Sequence, residues 1–317
     1  MRFEQSEPLE TNRFVDEHFG EWYQQGLPAH LAEQFSEGRW LPENLRDFEG
    51  MEMPGFEQAL TQALTECHEP RNAYHNLTHA QRVTENAAVG YDGLQRLTGQ
   101  ELPEGFLQPV LLGTAKHDHG HPGTTFFSDA TAARIPEGAS TDMAVERYSA
   151  EQSSLFVAGH GGTPEQQLVA AYVPSASAYG VAEEQGKRLG IEQAANPEGI
   201  AGRMMRAVDV LPAQDFTYAN LEDTSVVYGE KMPGGKEPPA TLAAYCEHRT
   251  GFLAGYVLPT LERLDEAAGV DLTTYLGWRE RVERQLDHVR ELQNGHSPVL
   301  EAILRSSAEA RFDGHIE

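Results

Sequence analysis

With 317 residues, 39% of them hydrophobic, the chain is long enough for one large helical domain or two small ones, with a sizeable core that needs no disulfides. Its two cysteines, Cys67 and Cys246, sit in no close Cys/His zinc-finger spacing, so a disulfide framework is not expected and a reducing compartment is. The formal net charge of −25 argues against a nucleic-acid scaffold, which needs basic surface. A small anionic ligand stays compatible, because a bound cation inverts the local field.

The opening residues Met1-Arg2-Phe3-Glu4-Gln5 lack the basic region and apolar run of a secretory signal. No apolar stretch approaches the ~18–20 residues that span a bilayer as a helix. The expectation is a cytoplasmic protein without membrane contact; a homodimer is compatible with these features.

In chain order, residues 14–19 are amphipathic, and residues 56–64 repeat apolar side chains at three-to-four spacing. Residues 77–97 continue the helical pattern until Gly99 and Pro103 interrupt it. Residues 107–116 form an apolar helix that runs directly into a group of histidines. Further on, Leu276, Val282, Leu286, Val289 and Leu292 mark one face of a helix that stops at Asn294-Gly295. Residues 119–124, 159–164, 196–202 and 232–239 read as loops. Nothing alternates in the manner of a strand. The fold class is therefore all-α: one compact multi-helix domain over 56–317, preceded by an N-terminal helical extension over 1–55.

Three places carry chemistry. In Tyr74-His75-Asn76-Leu77-Thr78-His79, a helix would put His75 and His79 one turn apart on one face, compatible with a shared site or with plain packing. In His117-Asp118-His119-Gly120-His121-Pro122-Gly123, an adjacent imidazole and carboxylate at a helix end can serve one cation, and the second carboxylate oxygen can reach another. In Arg203-Met204-Met205-Arg206-Ala207-Val208-Asp209-Val210, Asp209 lies among apolar residues on an expected helix, where a carboxylate is costly unless it caps, pairs or binds a metal.

The order His79, His117-Asp118 and a distant Asp209 resembles the H…HD…D signature of the HD superfamily of metal-dependent phosphohydrolases. Tyr-His-Asn-x-x-His followed by His-Asp-x-x-His-Pro-Gly resembles, more narrowly, the catalytic domain of class I cyclic-nucleotide phosphodiesterases. Met143-Ala144-Val145-Glu146 and the segment from Thr250 to Pro259 extend the resemblance over residues 74–264. It implies that His79, His117, Asp118 and Asp209 hold a tightly bound zinc. Asp118 would reach a second ion, magnesium or manganese, with a hydroxide bridging the two. His121 and Glu146 would orient the surrounding waters, and His75 would be the general acid that protonates the leaving oxygen. Tyr74 and Asn76 have packing and capping explanations. Arg249 and Phe252 would face the substrate, Phe252 as the aromatic that stacks on a base.

Three positions depart from the family. Ser149 stands where a histidine usual to the family would lie. Arg249 replaces the glutamine that reads a purine edge, and arginine only donates hydrogen bonds whereas glutamine also accepts them. Leu211-Pro212 replaces polar residues after the metal aspartate. The expected activity is hydrolysis of a phosphodiester, a 3′,5′-cyclic nucleotide or a related nucleotide, as a small anionic substrate. An HD-type phosphomonoesterase or nucleotidase is the alternative, as is a non-catalytic ligand-binding derivative of the fold. An intact acid at His75 counts against the last. Loop histidines such as His160 and the run from Lys231 to Lys236 are read as solvated and as a connector, respectively.

Overall fold

Local rules set the helix ends that matter for the site. The Asn76 side chain accepts hydrogen bonds from the backbone N–H groups of Thr78 (3.0 Å) and His79 (3.2 Å), which opens a helix over Leu77–Thr98. Gly99 closes it in the left-handed region (φ 68°), where a glycine carries no Cβ penalty, and its N–H returns to the Gln95 carbonyl. The computed structural model describes residues 45–66, 74–119, 142–177, 200–214 and 241–294. Their elements are a 3₁₀ turn at Leu45–Phe48 and helices α1 (Phe56–Glu66), α2 (Leu77–Thr98), α3 (Glu104–Ala115), α4 (Asp142–Gly159), α5 (Pro164–Ser177) and α6 (Ile200–Val210). Then come α7 (Leu242–Phe252), a π-helical turn (Leu253–Val257), α8 (Leu258–Ala268), the short α9 (Leu272–Tyr275) and α10 (Trp278–Asn294). No strand occurs among the described residues.

Helix α3 is apolar all round because it is buried on two sides. Phe106 and Val110 join the main core with Val83, Tyr91, Tyr172, Met204, Val257 and Trp278, while Leu112 and Ala115 join a second cluster with Ala59, Ala63, Val157 and Ala170. A Cβ on Gly113 would stand 2.6 Å from the Ala170 carbonyl oxygen, so glycine is what lets α3 lie directly against α5. That close approach fixes the helix whose end carries His117 and Asp118.

Residues 45–53, within the expected N-terminal extension, pack onto this core. Phe48 meets Phe106 edge-on at 5.8 Å. The buried amide of Gln166 donates to the Met51 and Gly105 carbonyls, and the Met53 N–H donates to Gln108. Two sequence expectations need correction. The loop placed at 196–202 gives way to α6 from Ile200 onward, where Ala201 and Gly202 are buried. Leu276 does not belong to the last helix: Gly277 (φ 68°) breaks the chain between α9 and α10. The segment 14–19 and the loop 232–239 lie outside the described residues. No helix among the described residues is long and apolar enough to cross a membrane.

Candidate metal centre

Three helices deliver the four residues that the sequence singled out as metal ligands. His79 lies in the first turn of α2, His117 and Asp118 in the turn that ends α3, and Asp209 next to the last residue of α6. His79 and His117 are both buried, and their Nε2 atoms stand 3.2 Å apart. Asp118 Oδ2 is 3.3 Å from His79 Nε2 and 2.9 Å from His117 Nε2. Asp209 Oδ1 is 3.2 Å and 3.4 Å from the same two atoms.

A cation fits this geometry. The ligand atoms of His79, His117 and Asp118 form a compact triad, and Asp209 joins through its contacts with the two imidazoles. Ligand atoms held at ~2.0–2.2 Å from a zinc-like ion are spaced by roughly 3 Å, as these are. The donor set, two imidazole nitrogens and carboxylate oxygens, suits a borderline or hard divalent cation.

The ring orientations refine that fit. His117 Nδ1 donates to the Thr114 carbonyl (2.8 Å), which orients the ring so that Nε2 faces the cluster, as a cation would require. His79 is arranged otherwise. Arg82 Nη2 lies 3.1 Å from His79 Nδ1, and because arginine only donates, Nδ1 is the acceptor and the ring proton sits on Nε2. A cation at His79 Nε2 would therefore need that proton to move to Nδ1, in place of the Arg82 contact.

The charges are mutually supporting. Burial pushes the Asp118 carboxyl upward, but His117 and His75 together more than offset it and hold it well below the usual carboxylate range. Burial acts on Asp209 in the same way, and hydrogen bonds from His117 and His79 overcome it, so its carboxyl is also depressed. Burial pulls His117 down, whereas Asp118 and Asp209 outweigh that effect and raise it well above its ordinary value.

His75 is not on the helix. Asn76 is the N-cap, so His75 precedes α2 and its ring stands edge-on to His79 at 5.8 Å between centroids. It still faces the cluster, since its charge acts on Asp118. Tyr74 packs between the two histidines, 4.9 Å from His75 and 4.4 Å from His79, and burial raises its phenol. The packing and capping readings of Tyr74 and Asn76 agree with these contacts.

Ser149 is buried and donates to the His119 carbonyl (3.1 Å), bracing the turn that carries Asp118 rather than offering a charged group. His160 holds the Phe156 carbonyl at the end of its own helix. His121 and the run 231–236 lie outside the described residues. Glu146 falls in α4, and its side chain is likewise outside them.

Arg249 and Phe252 sit near the end of α7. Arg249 is buried, and its Nη2 donates to Gln285 Oε1 (3.0 Å). Its guanidinium lies 5.7 Å from the Phe252 ring centroid, and Phe252 stacks on Tyr256 at 5.9 Å with 27° between planes. The Arg249 charge acts on the Tyr74 hydroxyl, so this corner adjoins the histidine cluster. Three partners were missed from sequence. Arg82 is three residues after His79 on one helix face. Arg281 and Gln285 are polar residues one turn apart on the apolar stripe of α10, which was the available signal.

No family model matches the chain, and no curated protein is similar to it. Among solved structures, the phosphodiesterase domain of the Salpingoeca rosetta rhodopsin phosphodiesterase is similar in fold, with a TM-score of 0.53 and 13% sequence identity. The match covers 99% of this chain and 100% of that one. At this identity the likeness establishes a phosphodiesterase-like, all-α fold.

Proposed function

We propose that this protein is a metal-dependent phosphodiesterase acting on a 3′,5′-cyclic nucleotide or a related nucleotide. The observation that carries the reading is the convergence of His79, His117, Asp118 and Asp209 from three helices, with contacts of 2.9–3.4 Å, beside His75. The similar fold of a phosphodiesterase domain supports it.

His79, His117, Asp118 and Asp209 would hold zinc, and Asp118 would also reach a magnesium or manganese ion. When bound, such cations neutralise phosphate oxygens and lower the pKa of coordinated water. The chain supplies the rest. His117 is oriented by the Thr114 carbonyl and His79 by packing on Tyr74, so the ligand atoms are placed before any cation arrives. His75, half-buried at the mouth of α2, is the proton donor: an imidazole titrates near neutrality and can protonate a departing alkoxide. Phe252, half-buried and stacked on Tyr256, offers an aromatic face to a base. The Arg249 guanidinium lies over the same ring, 5.7 Å from its centroid.

Hydrolysis of a panel of cyclic nucleotides, dinucleotides and nucleoside monophosphates tests the reading, with zinc, magnesium and manganese supplied singly and in pairs. Turnover of phosphodiesters with monophosphates left intact is expected. Cleavage of monophosphates alone would favour a phosphomonoesterase, and no turnover under any metal combination would remove the catalytic reading.

A further inference from the structure

Asp209 has a positional problem. It is the penultimate residue of α6, and the described residues that follow, 211–214, have no regular structure to hold it. Helix ends fray because their last carbonyls lack intrahelical partners. Yet the Asp209 carboxylate must stay within contact of both His79 and His117.

The partners of the segment just beyond α6 come from α10. Arg281 Nη1 donates to the Pro212 carbonyl (3.3 Å), and Gln285 Nε2 donates to the Ala213 carbonyl (3.0 Å). These residues are one turn apart, 6% and 4% exposed, on a stripe otherwise made of Trp278, Val282, Leu286 and Val289. Arg249 completes the relay by donating to Gln285 Oε1 (3.0 Å). Because arginine only donates, this contact fixes which end of the Gln285 amide is oxygen and turns its NH₂ toward Ala213.

Burying an arginine and a glutamine in a helix interface is costly, and apolar residues of similar size would pack there with no desolvation penalty. Burial, with the charges of Arg284 and Arg82, pushes Arg281 down to about 10, a sign of that cost. Their hydrogen-bond partners distinguish them from core filling, and the two backbone acceptors lie within four residues of Asp209.

We infer that Gln285 and Arg281 are positioning residues: by clamping the Pro212 and Ala213 carbonyls they aim the Asp209 carboxylate at the paired imidazoles. The inference rests on the proposed reading of Asp209 as a cation ligand. Gln285 belongs to no expected ligand set, and it acts through the backbone rather than on substrate.

Cobalt(II) is the probe, because its visible absorption reports ligand geometry without any turnover. Gln285→Leu removes both hydrogen bonds, whereas Gln285→Glu keeps an acceptor for Arg249 but cannot donate to Ala213. Each is expected to raise the cobalt Kd by roughly tenfold or more, the scale seen when residues supporting metal ligands are removed, and to change the absorption bands. Arg281→Met should act in the same direction, with Arg281→Lys restoring part of the loss. Val289→Ala, a buried change on the same helix away from residues 211–213, serves as the control for general destabilisation. It should lower Tm and leave the cobalt Kd and spectrum as in the wild type.

Wild-type cobalt binding in the folded Gln285 variants would overturn the inference while leaving the metal centre standing, as would equal weakening by Val289→Ala. If Gln285→Leu does not fold, Gln285→Glu and the Arg281 pair decide the matter. A wild-type protein that binds no cobalt would remove the metal reading itself, and the inference with it.

Discussion

Two polar regions lie side by side in this helical core, and they are built on opposite plans. The cluster of His79, His117, Asp118 and Asp209 brings two imidazole nitrogens and two carboxylates together across about 3 Å, a set of groups able to hold a cation once the imidazole nitrogens that face it give up their protons. The neighbouring corner of Arg249, Gln285 and Arg281 is made of donors, and the structure gives them acceptors: Gln285 takes one bond from Arg249, and the Ala213 and Pro212 carbonyls take the others. Buried polar groups persist where they are satisfied. The second region is satisfied by the chain itself, whereas the first could also take a cation from outside.

That contrast reframes the arginine at position 249. From sequence it stands where the phosphodiesterase resemblance expects a glutamine facing the base. In the structure its Nη2 holds Gln285, and its charge backs the Phe252 ring. Arg249 therefore has partners within the chain at the place where the resemblance expects a base-reading residue.

The comparison can be broken at several points. The largest effect is expected outside both polar regions. His75→Ala should leave metal content unchanged, because His75 is absent from the ligand contacts, and should slow hydrolysis of poor leaving groups by roughly 10²–10⁴-fold. Rates with an activated aryl ester should change far less. An equal loss on both substrates would show that His75 does not donate the proton.

A smaller, graded effect follows from the charges. In the metal-free protein His117 is raised, so its contribution to stability is fully present below about pH 6.5 and is lost as pH rises through its elevated folded value. Asp118 and Asp209 are depressed, so theirs is present above about pH 4 and is lost as pH falls through their folded values. A cation must displace the proton from the His117 imidazole, so its affinity should rise by about tenfold per pH unit below that group's elevated folded value. Thermal denaturation between pH 5 and 9 checks the histidine sign, and its extension below pH 4 checks that of the carboxylates. With chelator, Tm should fall as pH rises above 6.5, and the Tm gain on adding zinc should grow over the same range. Two curves that move together would contradict this electrostatic account.

Much of the fold was legible because helical periodicity is local. The apolar repeat over residues 77–97 and the apolar run over 107–116 match α2 and α3 to within a few residues. What failed is also physical. Gly202 and Pro197 read as loop signals, but Gly202 is buried within α6. Gly277, left-handed, detaches Leu276 from the last helix in a way that hydrophobic spacing cannot register. His75 and His79 would share a face only on a continuous helix, and the Asn76 cap starts α2 after His75.

The site divides in the same way. Its ligand set was legible only as an ordered motif, since 91 positions separate Asp118 from Asp209 and no periodicity connects them. The Arg249–Gln285 contact joins residues 36 positions apart and carries no motif. Only the tertiary packing of α7 on α10 reveals it. Polar residues on the apolar face of α10 were the one trace of it in the sequence.

The central claim is that the convergent histidines and aspartates form a cation site. Zinc titration of the metal-free protein, followed calorimetrically beside Asp118→Ala, tests it most directly. The account predicts saturable stoichiometric binding with proton release for the wild type, and loss of that binding in a folded Asp118→Ala variant. Undiminished zinc binding by Asp118→Ala, or none by the wild type, would contradict it.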